Sequence, residues 1–182
     1  MNIRKLLFSL IRSELKGTEF FTEDKDIICK DKLIELYSIS AKHDLAHFLG
    51  HTLAKAGLLD NNKMLGSFKN ARLMAIYRYE QSRYELNRIC KTLNDAQISF
   101  VPLKGAVIRN YYSEPWLRTS CDIDVLVREE DLKQAVKVLV SELHYVVDEK
   151  NIIMMFHYFL RKVFTWNCIL IFKKILNHWT EY

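Results

Sequence analysis

Apolar residues recur at three- and four-residue intervals over the first stretch of the chain. Ile3, Leu6, Leu7, Leu10, Ile11 and Leu15 make one stripe, the pattern of an amphipathic helix that buries one face and leaves the other in water. Gly17 ends it, because glycine takes up the left-handed backbone that closes a helix. The same spacing predicts a second helix over Lys32 to Ser40 and a third over Asp44 to Ala56, ahead of Gly57. From Asn62 to Asn94 there is no proline and no glycine beyond Gly66, while Leu65, Phe68, Leu73, Met74, Ile76, Tyr77, Leu86, Ile89, Cys90 and Leu93 keep helical spacing. This predicts one long helix or two nearly collinear ones.

At Gln97 the period changes. Ile98 to Val101 is short, β-branched and aromatic and is bounded by Pro102, which cannot donate to a ladder, so it reads as a strand. A helix from Gly105 to Tyr112, a loop containing Pro115, a strand from Ile123 to Val127, an amphipathic helix from Glu129 to Leu143 and a strand from His144 to Val147 follow. Helices first, then strand-helix-strand-helix-strand, predicts an α+β chain. A helical region over residues 1–96 precedes a small mixed β-sheet with flanking helices over 97–182. The tail from about residue 151 is apolar and aromatic without a sustained period, and reads as strands or a helix.

Composition sharpens this picture. Gly and Pro together number seven of 182 residues, about 4% against a usual ~12%, which excludes a hairpin-rich or collagen-like chain. With 49% apolar and 27% charged side chains, a disordered chain is excluded as well. The net charge of +5 is uneven: residues 150–182 carry five Lys or Arg against one acid, leaving +1 for the rest. Such a balance suits anionic partners, and it also occurs on plain solvated surfaces. Cys29, Cys90, Cys121 and Cys168 stand far apart, with no CxxC pair and no secretory signal ahead of them, so a reduced, cytoplasmic setting is expected. The uncharged runs Asn151 to Leu160 and Val163 to Phe172 have ten residues each, against about 20 for a membrane span.

Chemistry concentrates in two neighbouring stretches, Val101-Pro102-Leu103-Lys104-Gly105-Ala106 and Arg118-Thr119-Ser120-Cys121-Asp122-Ile123-Asp124-Val125-Leu126-Val127. Residues two apart in a strand share a face, so Asp122 and Asp124 aim two carboxylates into one space while Ile123 and Val125 face the core. Like charges so placed stay ionised only beside cations, and hard oxygen donors suit Mg²⁺ that also holds substrate phosphates. Gly105 sits where a strand turns into a helix, where backbone N–H groups can approach an anion. Lys104 offers a point charge, Arg118 a planar fork, and Ser120 a hydroxyl donor.

These stretches resemble the nucleotidyltransferase superfamily with the polymerase-β-like fold. The likeness is to its uncharacterised bacterial branch, which has a leucine-lysine-glycine turn and an arginine ahead of an acid-isoleucine-acid strand. Abortive-infection and related toxin nucleotidyltransferases look similar over the same segment. The resemblance covers residues 98–147, and the preceding helices are similar in kind. It implies that Asp122 and Asp124 are metal ligands and the catalytic carboxylates, that Lys104 and Gly105 belong to the nucleotide-phosphate turn, and that Arg118 and Ser120 lie at its rim. It implies transfer of a nucleoside monophosphate from an NTP, with Mg²⁺, to an acceptor that is a protein, an RNA or a small molecule.

Two departures accompany the resemblance. Lys104-Gly105 stands where many members have Gly-Ser, so the serine that touches a phosphate is absent. A third acid, which comes from a later strand of the superfamily, is missing: the corresponding stretch Asn167-Cys168-Ile169-Leu170-Ile171-Phe172 has no carboxylate, Asp148 and Glu149 come too early, and Glu181 comes next to the end. Three readings stay open: a core incomplete at its C-terminus, an acid from elsewhere, or a module that binds nucleotide, protein or RNA without turnover.

Two further clusters carry weaker signals. His43, His47 and His51 are spaced i, i+4, i+8 on the third predicted helix, a geometry that can hold a transition metal but is met more simply by capping and packing. Tyr77, Arg78, Tyr79, Arg83, Tyr84 and Arg88 mix basic and aromatic side chains, as nucleic-acid surfaces do, although Glu80 and Glu85 interrupt the charge.

Overall fold

The computed structural model describes residues 2–20, 30–59, 65–120, 122–145 and 168–173. Its elements in chain order are α1 (Ile3–Lys16), α2 (Lys30–Lys42), α3 (Ala46–Lys55), α4 (Leu65–Asp95), β1 (Phe100–Pro102), α5 (Gly105–Ile108), 3₁₀ turns over Arg109–Tyr111 and Pro115–Leu117, β2 (Asp122–Val127), α6 (Leu132–Leu143) and β3 (Cys168–Lys173). This is a mostly helical chain with one small antiparallel sheet, in the α+β class that the patterning predicts.

The chain divides into two compact units, Met1–Tyr79 with Arg109–Thr119, and Glu80–Ile108 with Ser120–Tyr182. The division falls inside α4, after Tyr79. The C-terminal half of the long helix carries Ile89 and Leu93, which belong to the sheet's core. The segment between α5 and β2 carries Trp116 and Leu117, which belong to the helical core.

In the helical unit, α1 follows its stripe: Leu6 and Leu10 are fully buried. Gly17 closes it in the left-handed region, at φ 63°. Its N–H donates to the Glu14 carbonyl while that of Thr18 donates to the Ser13 carbonyl, the paired bonds that satisfy a helix's last acceptors. Leu33, Leu36, Phe48, Leu49, Leu53 and Phe68 complete the core. The third helix is shorter than the pattern predicts. His43 lies in the turn before it and Asp44 takes a positive φ of 53°, so the chain reverses there and the helix starts at Ala46.

In the sheet unit the strand order is β1-β2-β3, antiparallel throughout. Ile123, Val125 and Val127 share a core with Ile89, Leu93, Ile98, Ala135 and Leu139, so α6 and the end of α4 cover one face of β2. Complete burial of such aliphatic side chains contributes roughly 1.5–3 kcal/mol each. A slip of β2 by one residue would drive Asp124 into that core, so the register is strongly fixed. Pro102 pairs with Val125 at the end of β1, where its missing N–H costs no interior rung. The ladder continues through the Leu103 N–H, which donates to the Asp124 carbonyl at 2.9 Å.

The strand expected at His144 to Val147 is not found where the residues are described. His144 closes α6 in the left-handed region, at φ 59°, Tyr145 is irregular, and residues 146–147 lie outside the described residues. The third strand comes instead from the unpatterned tail, as Cys168–Lys173. Among the described residues no helix is long and apolar enough to cross a membrane.

Candidate functional site

The carboxylates of interest sit on β2. Asp122 is exposed at its start, whereas Asp124 is only 4% exposed. Ile123, Val125 and Val127 turn into the core, so strand alternation gives Asp122 and Asp124 the opposite face.

The turn from β1 into α5 lies against this strand through the bond from Leu103 to Asp124. Lys104, the next residue, has a φ of 44°, in the region that side chains with a Cβ rarely enter; such a residue stores on the order of 1–3 kcal/mol of strain. Its Nζ lies 3.3 Å from Asp124 Oδ1. A buried carboxylate needs a counter-charge, and Lys104 provides it. Gly105 is buried at the start of α5, and the Lys104 carbonyl accepts from Val107 and Ile108 at 3.0 and 2.8 Å, so the helix forms directly after the turn. Ser120 is turned to the backbone: its hydroxyl donates to the Asp122 carbonyl at 3.2 Å.

Lys104, Gly105, Asp122 and Asp124 are therefore gathered in the sheet unit, with Ser120 at the mouth of β2. Arg118 belongs to the helical unit, where its Nε is buried without a hydrogen-bond partner among the described residues.

The register of β3 bears on the missing third acid. Ile171 is the Cα partner of Asp124, and Lys173 that of Asp122. No carboxylate occurs in Cys168–Lys173, so the strand that follows β2 in the sheet supplies none.

Asp122 and Asp124 fit a divalent cation of the Mg²⁺ type. That ion keeps several waters and is held by one or two carboxylates together with phosphate oxygens, and hard oxygen donors on one face match it. A cage made wholly of protein is not on offer, since among the described residues no three His, Cys, Asp or Glu converge. The histidine spacing has a structural explanation. His47 is buried, and its Nε2 donates to the Leu117 carbonyl at 2.9 Å, because a carbonyl can only accept. Burial pushes its pKa down, opposed by that hydrogen bond. His51 Nε2 lies 3.7 Å from Glu14 Oε1 and packs edge-on against Trp116. Burial again lowers its pKa, against the pull of Glu14.

Sequence reasoning missed Glu14, 5% exposed. Lys55 lies 3.5 Å away and the Ser113 hydroxyl donates to it at 2.5 Å. The available signal was its place one turn after Leu10 and two after Leu6, in line with α1's buried stripe. The basic and aromatic face of α4 is largely self-neutralised: Arg83 pairs with Glu80 at 2.6 Å, Arg88 with Glu85 at 3.1 Å and Arg78 with Asp44 at 3.4 Å. Cys90 is a free, half-buried thiol whose pKa is raised by burial, so it is not an activated nucleophile.

A family described as uncharacterised nucleotidyltransferase matches residues 31–165. The chain belongs to that family. The match takes in Lys104, Gly105, Arg118, Ser120, Asp122 and Asp124 and stops short of β3. No curated protein and no solved structure matches the chain.

Proposed function

We propose that the chain is a Mg²⁺-dependent nucleotidyltransferase that moves a nucleoside monophosphate from an NTP to an acceptor hydroxyl or phosphate. The observation that carries this reading is the pair Asp122 and Asp124 on one face of β2, beside a Lys-Gly turn, in a member of a nucleotidyltransferase family. A bound divalent ion would lower the charge on the triphosphate and stabilise the oxygens that attack and leave. Asp122 and Asp124 would hold that ion, and Lys104 and the backbone at Gly105 would receive phosphate oxygens. Ser120 steadies the entry to β2 through the Asp122 carbonyl. The acceptor oxygen bonds to the α-phosphorus as the bond to the bridging oxygen breaks, and pyrophosphate leaves.

The test is titration of ATP, CTP, GTP and UTP with Mg²⁺ into wild-type chain and into the double variant Asp122→Asn/Asp124→Asn. The double variant is expected to lose metal-dependent nucleotide binding; equal binding by both defeats the metal assignment. Release of labelled pyrophosphate measures turnover.

A second reading is favoured by the register of β3, which sets Ile171 and Lys173 opposite the two acids. It is a module that binds nucleotide without transferring it, and whose helices meet a protein or RNA. Nucleotide binding without pyrophosphate release across protein, RNA and small-molecule acceptors supports this reading over the first.

A further inference from the structure

The ion pair between Lys104 and Asp124 is unequal. The Asp124 side chain is 5% exposed and fixed by β2, whereas the Lys104 side chain is 54% exposed and joined to the fold by a turn in a strained backbone conformation. One partner is enclosed by the fold and the other reaches into solvent. Asp124 Oδ1, the atom that Lys104 occupies, is also an oxygen donor of the proposed metal site, and an ammonium and a divalent ion cannot both sit against it.

The geometry points to Lys104 as an internal counter-ion that holds the place of the divalent cation at Asp124 until a nucleotide arrives. This inference rests on the metal reading of Asp122 and Asp124 given above. Without nucleotide, the ammonium neutralises the buried carboxylate and competes with the metal. On binding of a metal-bound triphosphate, Asp124 would exchange the ammonium for the cation, and Lys104, on its flexible stem, would reach the phosphates. Metal and nucleotide then favour each other's binding, because each removes the obstacle the other meets. The lysine that departs from the Gly-Ser of related turns becomes a coupling device. Exposed Asp122 lies two residues away on β2.

The experiment follows free Mn²⁺ by electron paramagnetic resonance during titration with the full chain in low salt, without nucleotide. Lys104→Met removes the competitor and is expected to bind Mn²⁺ about fivefold to tenfold more tightly than wild type, a gain that shrinks as salt rises. The same variant is expected to bind the four NTPs with Mn²⁺ more weakly than wild type. A lysine that only supports the turn would not produce this inversion of sign. Lys104→Gly is the second variant: glycine suits the positive φ, so it deletes the ammonium while relieving the backbone. Circular dichroism verifies that both are folded. Mn²⁺ affinity that is unchanged or lower in both folded variants overturns the counter-ion role. If tight Mn²⁺ binding by Lys104→Met survives the addition of Asp124→Asn, the ion does not sit at Asp124, and the metal reading falls too. If Asp124→Asn abolishes Mn²⁺ binding while Lys104→Met gains none, the counter-ion inference alone fails.

Discussion

The helical unit and the sheet unit each bury a carboxylate, and they surround it differently. Glu14, on α1, meets His51 and Lys55 from α3 and the Ser113 hydroxyl, so an imidazole, an ammonium and a hydroxyl donor close on it from two other segments. Asp124 meets the ammonium of Lys104, a half-exposed side chain twenty residues back in the chain. A carboxylate closed in from several sides holds elements together. One with a partner that can leave is available to a ligand. Burial is nearly equal at the two sites, 5% against 4% exposed, so the number and exposure of the partners distinguish them.

The sharpest way to break this comparison is to neutralise each carboxylate and measure both stability and binding. Asp122→Asn/Asp124→Asn is expected to weaken metal-dependent nucleotide binding by about a hundredfold, ~2.7 kcal/mol, with little change in the urea midpoint, because the freed lysine is already half in water. Isothermal titration and urea denaturation on one preparation give both numbers. Glu14→Gln is expected to do the reverse. It removes the charge that His51 and Lys55 face, costs about 1–2 kcal/mol of stability with Lys55 discounted for its exposure, and leaves nucleotide affinity unchanged. A large loss of nucleotide binding in Glu14→Gln, with the fold retained, would erase the distinction.

Packing sharpens the contrast at a smaller scale. Gly50, inside α3, lets Phe68 of α4 approach so closely that an added Cβ would lie 3.0 Å from the Phe68 Cβ and 3.3 Å from its carbonyl oxygen. Alanine is normally worth up to about 1 kcal/mol over glycine within a helix, but here it must push a fully buried aromatic and its backbone. Gly50→Ala is therefore expected to be destabilising by about 1 kcal/mol net, read as a fall in thermal midpoint, again without effect on nucleotide binding.

The parts of the fold legible in the sequence were those in which local pattern and tertiary demand agree. The alternation of Asp122-Ile123-Asp124-Val125 specifies a strand with acids on one face, and the stripe ending at Gly17 specifies α1. His144 to Val147 is aromatic and β-branched, so it reads as a strand, yet His144 serves as the left-handed cap of α6; capping geometry overrode propensity there. The third strand was legible only as one of two alternatives, because Cys168-Ile169-Leu170-Ile171-Phe172 is a continuous apolar run, and such a run does not separate strand from helix. The two acids and the turn glycine were legible because short spacing within β2 and beside α5 encodes them. The Lys104–Asp124 pair was not, since it depends on how β1 registers against β2. The boundary between units was also hidden: α4 has an unbroken helical pattern on both sides of Tyr79, and only the partners of Ile89 and Leu93 assign its second half to the sheet.

The smallest expected effect concerns the histidines of the helical unit. His47 is held neutral by burial, with Nε2–H bonded to the Leu117 carbonyl, and its pKa lies below the ordinary 6.5. Above about pH 6.5 both folded and unfolded states carry it uncharged, and its contribution to stability is complete. As pH falls through 6.5 the unfolded chain takes up the proton first, so stability declines until the depressed folded pKa is reached. One group sets a limiting slope of about 1.4 kcal/mol per pH unit. Burial lowers the pKa of His51 too, so it acts in the same direction, with Glu14 opposing. Urea midpoints at pH 8, 7, 6 and 5.5 are expected to fall only over the acidic half of that series. His47→Gln, which can still donate to Leu117, is expected to flatten the decline. A midpoint that rises on acidification would mean that a charged imidazole is favoured in the folded state.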